Sequence, residues 1–208
     1  MIKPLVEKEV KFYIGDLAAL QGRLRSLGVE LVTPRVFERN LRFDTPDLRL
    51  TASRQVLRLR QDNGATITYK GPSTEVDGVR VRQEIEIGVT DFDQARKLLE
   101  SLGYTLAVVY EKWRTTYRYN QLEIDLDELP FGNFCEIEGD ETERIRGTAG
   151  VLALDWQARI SASYLGLFDE VKRKNNLTVN HLTFEDFKSV PLNASDLGVV
   201  PADTPRFI

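Results

Sequence analysis

The stretch Val6-Glu7-Lys8-Glu9-Val10-Lys11-Phe12 alternates with the period of a β-strand, but its ordered row is charged. Val6, Val10 and Phe12 share one face, while Glu7, Glu9 and Lys11 form the row on the other. Two carboxylates and an ammonium in one row do not make an apolar core. The row must point either to bulk water or into a charged interior, with the apolar face packed on the opposite side.

The same inversion recurs. Leu57 and Leu59 alternate with Arg58 and Arg60; Ile67 and Tyr69 with Thr66, Thr68 and Lys70; Val81, Ile85 and Ile87 with Arg80, Arg82, Glu84 and Glu86. Trp113, Tyr117 and Tyr119 alternate with Lys112, Arg114, Thr116 and Arg118. Leu122, Ile124 and Leu126 alternate with Glu123, Asp125 and Asp127, and Cys135 and Ile137 with Phe134, Glu136 and Glu138. Any one of these, taken alone, is an ordinary half-solvated antiparallel strand. Together they sort charge. Basic rows dominate the third, fourth and sixth candidate strands and carboxylate rows the first, seventh and eighth, so a closed sheet could face them across a lumen. That arrangement suits a polyanion and a divalent cation.

Composition sets limits. A chain of 208 residues, 42% hydrophobic and 29% charged, is long enough to bury a core and still carry a polar lumen. A net charge of −4 argues against a general nucleic-acid surface. The single Cys135 excludes an intramolecular disulfide framework, and with His181 as the one histidine a Cys/His zinc site lacks ligands. No run approaches transmembrane length, and Met1-Ile2-Lys3-Pro4 leads into the first strand without a signal-peptide apolar region. The expectation is a soluble, cytoplasmic monomer or homodimer with neither a membrane nor a nucleic-acid polymer as partner.

An internal repeat organises the chain. A shift of 75 positions superimposes Glu9 on Glu84, Asp16 on Asp91, Leu24 on Leu99, Ser26-Leu27-Gly28 on Ser101-Leu102-Gly103, and Arg39 on Arg114. Each half reads strand, helix, three strands. Asp16 and Asp91 suit N-caps, and Gly28 and Gly103 suit helix ends. Between them, Leu17, Leu20, Leu24 and Leu27, or Phe92, Ala95, Leu99 and Leu102, form apolar stripes that would cover the outer faces of the strands.

Turn residues fall between the strands at Thr45-Pro46-Asp47, Asp62-Asn63-Gly64, Asn120-Gln121 and Leu129-Pro130-Phe131-Gly132, with Asp77-Gly78 in the link between halves. From about Glu141 the period becomes helical, with Ala158, Ser161, Ala162, Leu165 and Phe168 in a stripe and Tyr164 nearby. This part could pack outside the strands or close one end. The expected organisation is one domain over 1–190, with the repeat in 5–139 and C-terminal helices in 141–175. Residues 191–208 read as an extended, mobile tail.

These residues resemble a family. Glu7-Lys8-Glu9-Val10-Lys11 matches the E-x-E-x-K signature of the CYTH, or triphosphate tunnel metalloenzyme, superfamily. That superfamily includes class IV adenylate cyclases, thiamine triphosphatases and inorganic triphosphatases. The pentapeptide alone is a weak signal. In the family's order follow Asn40-Leu41-Arg42-Phe43-Asp44-Thr45-Pro46, Leu57-Arg58-Leu59-Arg60, Tyr69-Lys70-Gly71-Pro72, Arg82-Gln83-Glu84-Ile85-Glu86, Lys112-Trp113-Arg114, Asp125 and Phe134-Cys135-Glu136-Ile137-Glu138-Gly139. The combination covers about residues 5 to 139, and the likeness of the C-terminal part is looser. One departure is Arg42, where family members often have Tyr; an extra cation there is compatible with phosphate.

The resemblance implies an α+β protein. Its centre would be a closed eight-stranded antiparallel β-barrel, the triphosphate tunnel, with helices outside and a C-terminal helical segment. It implies a small-molecule triphosphate as substrate, with Mg²⁺ or Mn²⁺ as cofactor. Hard cations of this kind take oxygen ligands, so Glu7, Glu9, Asp125, Glu136 and Glu138 form the expected metal set. Lys11, Arg58, Arg60, Lys70, Arg82, Lys112 and Arg114 are the expected phosphate contacts. Glu84 and Lys11 are the expected catalytic groups, with a metal-held or Glu84-polarised water attacking the terminal phosphorus.

Bland readings stand beside these. Arg58 and Arg60, or Glu136 and Glu138, would in isolation be solvent-facing. Glu86, Glu123, Asp127, Arg80 and Arg118 are equally explained by internal salt bridges, and Asn40 and Asp44 by the turn at Pro46. Lys172, Arg173 and Lys174 read as a solvated helix end, one of whose cations could reach a tunnel mouth. Three functions compete: a triphosphate phosphohydrolase acting on tripolyphosphate, a nucleoside triphosphate or thiamine triphosphate; a class IV adenylate cyclase; and a non-catalytic nucleotide or polyphosphate sensor. The complete carboxylate rows weigh against the sensor. Hydrolysis is the preferred reading, because water is the simpler acceptor and needs no ribose alignment.

Overall fold

The inverted strands close on themselves in the computed structural model, which describes residues 6–76 and 79–204. The first half contains β1 (Val6–Ile14), α1 (Leu17–Ser26), β2 (Glu30–Asp44), the short α2 (Arg49–Ala52), β3 (Val56–Gln61) and β4 (Ala65–Lys70). After the short β5 (Thr74–Val76) come β6 (Val79–Val89), α3 (Phe92–Ser101), β7 (Thr105–Tyr119), β8 (Leu122–Leu129) and β9 (Gly132–Gly139). The C-terminal part holds α4 (Thr142–Val151), a 3₁₀ turn (Trp156–Ala158), β10 (Arg159–Ile160) and α5 (Tyr164–Asn175).

Eight strands run in the order β1-β9-β8-β7-β2-β3-β4-β6, and β6 pairs back onto β1 with Glu7 opposite Arg82 and Glu9 opposite Arg80. Every pairing is antiparallel, and closure leaves none of these eight an open edge. The expected α+β architecture with a closed eight-stranded sheet is therefore what the chain adopts. Two short strands add to it: β10 on β1 and β5 on β6. The Asp77-Gly78 link lies outside the described residues.

The apolar rows face outward, most of them under the helices, while Ile85 and Ile87 of β6 stay exposed. Val10, Phe12 and Ile14 of β1 join Leu122, Ile124, Leu126, Cys135 and Ile137 in one core with Leu20 and Leu24 of α1 and Ile145 and Ala149 of α4. Across the ring, Leu41, Phe43, Leu57 and Leu59 pack with Ala95 and Leu99 of α3. Both helices start as their sequences direct: Asp16 Oδ1 accepts from the Ala19 N–H and Asp91 Oδ1 from the Gln94 N–H, each at 2.9 Å. Each ends at a glycine in the left-handed region, Gly28 at φ 66° and Gly103 at φ 90°. The last apolar position of each stripe stays out of the core, with Leu27 and Leu102 exposed.

A third core joins the ring to the C-terminal part, where Phe131 and Phe134 meet Tyr164, Leu167, Phe168 and Val171 of α5, together with Leu182 and Phe187. The helical stripe expected from Ala158 begins only at Tyr164, because Asp155 caps a 3₁₀ turn and Ser163 then caps α5. Leu182 adds to β7 by a bridge to Tyr110, and the His181 imidazole accepts from the Val109 N–H at 3.2 Å. Residues 191–204 run in turns rather than extending away. Leu197 and Ala202 are buried, and the Asp203 carboxylate accepts from the Gly15 and Asp16 N–H groups at 2.8 and 2.7 Å, fastening this segment to the start of α1.

Candidate active site

Because the apolar rows point outward, the charged rows point inward, and they line a cavity of about 1220 Å³. Its wall includes Glu9 and Lys11 of β1, Arg58 and Arg60 of β3, Lys70 of β4, and Arg82, Glu84 and Glu86 of β6. Lys112 and Arg114 of β7, Glu123 and Asp125 of β8, and Glu136 and Glu138 of β9 complete it. All the expected site residues with described side chains are therefore brought together. Glu7 lies opposite Arg82 in the strand register, but its side chain, like that of Arg80, lies outside the described residues.

The carboxylates fall into two groups by register. Glu9 lies directly opposite Glu138, and Glu138 opposite Glu123 on the other side. One pair further along, Lys11 lies opposite Glu136 and Glu136 opposite Asp125. This second group is tied up by cations. Lys11 Nζ is 2.7 Å from Glu136, while Arg114 reaches Asp125 and Glu136 at 2.6 Å each and Asp127 at 2.5 Å. Lys11 and Arg114 outweigh the effect of burial on Glu136 and hold its carboxyl well below the usual range. Asp125 differs: burial, with Asp127 and Glu123 adding to it, outweighs Arg114 and pushes it up to about 7. It also accepts a hydrogen bond from Thr116 Oγ1 at 2.6 Å.

Among the described residues no ready-made cluster of three acidic, His or Cys side chains is present. The donors nevertheless fit a hard cation such as Mg²⁺ or Mn²⁺. Such an ion is held by one or two carboxylates plus waters and substrate phosphates, and Glu9 opposite Glu138, with Glu123 next in register, offers oxygen donors of that kind. Asp125 and Glu136, expected in the same set, are instead engaged with Arg114 and Lys11.

On the other wall, Arg58 donates to Thr68 Oγ1 at 3.1 Å and to the Tyr110 hydroxyl at 3.3 Å, and lies 3.8 Å from Glu86. Arg60 sits between Asp62 at 3.1 Å and Glu86 at 3.7 Å, and Lys70 is 2.7 Å from Glu84. These cations are held at fixed positions by partners on the neighbouring strands. That is the preorganisation a polyanion site requires.

Tyr110 and Tyr164 also line the cavity, and Glu38 and Asp127 lie buried behind its cations. Glu38, on the inward face of β2, is buried with Lys112 at 3.5 Å and Arg114 at 3.9 Å. Burial would raise its carboxyl, but Lys112, Arg114, Arg60 and Arg58 lower it to about 2. Asp127 is fully buried and takes Lys112 at 3.0 Å, Arg114, and the Tyr164 hydroxyl at 2.8 Å. The Tyr164 ring lies 4.2 Å from Lys11 Nζ. Tyr110 has its hydroxyl lowered: burial raises it, but Arg58 and Lys112 prevail. Glu38 was legible in the alternation Glu38-Arg39-Asn40-Leu41-Arg42-Phe43, whereas Tyr164 is brought in only by the docking of α5. Lys172, on the same helix, also reaches the cavity wall.

Comparison with known proteins fits this geometry. The sequence profile of the CYTH domain matches residues 5–158, and the chain belongs to that family. A relative named adenylate cyclase CyaB, from Aeromonas hydrophila, is 30% identical over 135 residues, spanning 63% of this chain and 67% of the relative. A Vibrio parahaemolyticus structure named as a candidate adenylate cyclase superimposes with a TM-score of 0.72 at 23% identity, covering 80% of this chain and 99% of that one. A Hippeastrum structure, named as a candidate adenylyl cyclase with a dominant triphosphatase activity, superimposes with a TM-score of 0.59 at 20% identity, covering 78% and 95%. Among the described residues, no helix is long and apolar enough to cross a membrane.

Proposed function

We propose that this chain is a divalent-metal-dependent triphosphate phosphohydrolase that releases the terminal phosphate of tripolyphosphate, a nucleoside triphosphate or thiamine triphosphate. The observation that carries the reading is the division of one cavity: Glu9, Glu138 and Glu123 gather on one wall and Arg58, Arg60, Lys70 and Arg82 on the other. The triphosphate lies between them, its terminal phosphoryl group toward the carboxylates. Glu9 and Glu138, with Glu7 and Glu123 beside them, would hold Mg²⁺ or Mn²⁺. The ion, when bound, neutralises phosphate charge and acidifies a water. Arg58 and Arg60 offer forked N–H donors to phosphate oxygens and Lys70 a point charge. Glu84 accepts a proton from the attacking water, with Lys70 next to it. Lys11, steadied by Glu136 and Tyr164, places a positive charge at the carboxylate end. Lys112 and Arg114 draw phosphate toward β7 and keep Asp125, Asp127 and Glu136 in place. A cytoplasmic location goes with this reading.

The second reading, a class IV adenylate cyclase, is favoured by the names of the Aeromonas and Vibrio proteins. The same walls would then serve the α-phosphorus, with the ribose 3′-hydroxyl as acceptor. The Hippeastrum protein's named triphosphatase activity supports hydrolysis as chemistry that this fold can carry. Incubation with tripolyphosphate, ATP and thiamine triphosphate in Mg²⁺ and Mn²⁺, followed by phosphorus NMR, separates the two. Orthophosphate with pyrophosphate or a diphosphate is expected; cyclic AMP with pyrophosphate as the main products would favour the cyclase. Arg58→Ala is expected to raise KM and lower kcat, reducing kcat/KM by about a hundredfold for loss of a charge-assisted contact.

A further inference from the structure

The internal repeat gives the ring a pseudo-two-fold symmetry, yet its two halves are not covered alike. The shift of 75 positions carries Val10 and Phe12 of β1 onto Ile85 and Ile87 of β6. The strand pairs agree with it: Val10 lies opposite Ile137 and Phe12 opposite Cys135, as Ile85 lies opposite Tyr69 and Ile87 opposite Ile67. Both rows stand on the outside of the ring. In one half α4 follows β9 and lays Ile145 and Ala149 on the row, so that Val10 is 3% exposed and Phe12 0%. In the other half β4 leads into β5 instead of a helix, and Ile85 and Ile87 are 46% and 56% exposed. The flanking helices repeat the difference. Arg23 of α1 donates to the Leu152 carbonyl at the end of α4, and the same shift carries Arg23 onto Leu98 of α3, the helix that packs over β3 and β4. Leu98 is 56% exposed, and Leu102, one turn on, is exposed as well.

We propose that this face is a two-fold interface between two copies of this chain, in which the Leu98 and Leu102 edge of each α3 seats on the partner's β4–β6 surface. There Ile67, Tyr69, Ile85 and Ile87 occupy the position that α4 covers in the other half. Leu98 and Leu102 stand four residues apart on one helix face, the spacing with which Ile145 and Ala149 of α4 meet their strands. The chain thus carries, side by side, a sheet face short of a helix and a helix edge short of a sheet, and a two-fold axis satisfies both at once. The paired parts of β4 and β6 run six residues, about 20 Å, with the ten-residue α3 alongside. An apolar face of that extent, with the exposed Gln83, Gln94 and Lys97 as a polar rim, suits the centre of an interface of about 800 Å² per partner. Lys70, Glu84 and Glu86 point into the cavity from the opposite side of the same strands, so each copy keeps its own cavity and the inference stands whatever reaction that cavity carries.

The test is sedimentation equilibrium of the full chain from about 1 to about 100 µM, for wild type, I87E, L98E and L27E, with circular dichroism to show that each is folded. Wild type is expected to dimerise with a Kd of about 10 µM or tighter. I87E and L98E should each raise that Kd at least about a hundredfold, because each sets a carboxylate against an apolar row without a partner. Both positions are exposed in the single chain, so the fold should survive; if one variant does not fold, the other decides. L27E, at the exposed counterpart of Leu102 in the first half, should dimerise like wild type. A wild type that stays monomeric at about 100 µM would overturn the proposal and leave the face to a different protein. A dimer that I87E and L98E leave intact, or that L27E disrupts, would overturn it by placing the interface elsewhere. Association that continues past the dimer would overturn it by excluding a closed two-fold pair.

Discussion

Glu9→Gln is expected to lower metal-dependent turnover by on the order of a thousandfold, about 4 kcal/mol in the transition state, while the fold remains intact. Glu9 lies directly opposite Glu138 across the β1–β9 pair, and both line the cavity. An amide in place of one carboxylate removes an anionic oxygen donor from the proposed metal site without changing the side chain's shape. The amide keeps the size of the carboxylate, so a thermal melt in chelator distinguishes loss of a metal donor from loss of the fold. Steady-state kinetics over a Mg²⁺ and Mn²⁺ titration, with a thermal melt in chelator, provide both readouts. Wild-type turnover in the variant, or in chelator, would show that Glu9 does not serve the metal.

The second large effect is on stability and depends on pH. Glu38 is buried beside Lys112 and Arg114, and its carboxyl is lowered from 4.5 to about 2 in the folded chain. A depressed carboxyl stabilises the folded state above the unfolded value and loses that contribution as pH falls through the folded one. The interaction is thus fully present above about pH 5 and gone near pH 2, a difference of about 3 kcal/mol. Glu38→Gln should therefore cost about 3 kcal/mol in urea melts at pH 7, and its deficit should shrink toward zero as the pH approaches 2. A deficit that does not change with pH would mean that the loss is one of packing rather than of charge.

The ring was legible because its strands invert the usual pattern. Val10 and Phe12 against Glu9 and Lys11, repeated at Leu57 to Arg60 and at Leu122 to Asp127, leaves only the inside of a closed sheet for the charged rows once the helices cover the apolar ones. Other features needed the fold. The 75-residue shift matches Arg39 to Arg114, yet Arg114 faces the cavity and Arg39 is exposed, because bulges between β2 and β7 change which residues point inward. No spacing rule revealed that Arg114 would clasp Asp125, Asp127 and Glu136. Those contacts depend on how far neighbouring strands are staggered around the ring, a long-range property. Tyr164 was hidden for a related reason: its place in an apolar helical stripe is ordinary, and only the docking of α5 on Phe131 and Phe134 carries its hydroxyl to Asp127.

The division of the cavity into a carboxylate wall and a cation wall, with the terminal phosphorus at the former, is tested most directly by turnover of ATP in ¹⁸O-labelled water with Mg²⁺ or Mn²⁺. Attack of water on the terminal phosphorus places one label in orthophosphate and leaves the ADP unlabelled, which is the predicted result. Unlabelled pyrophosphate accompanied by cyclic AMP, or label in AMP, would place the reaction at the α-phosphorus, and label in pyrophosphate would place it at the β-phosphorus; each would contradict it.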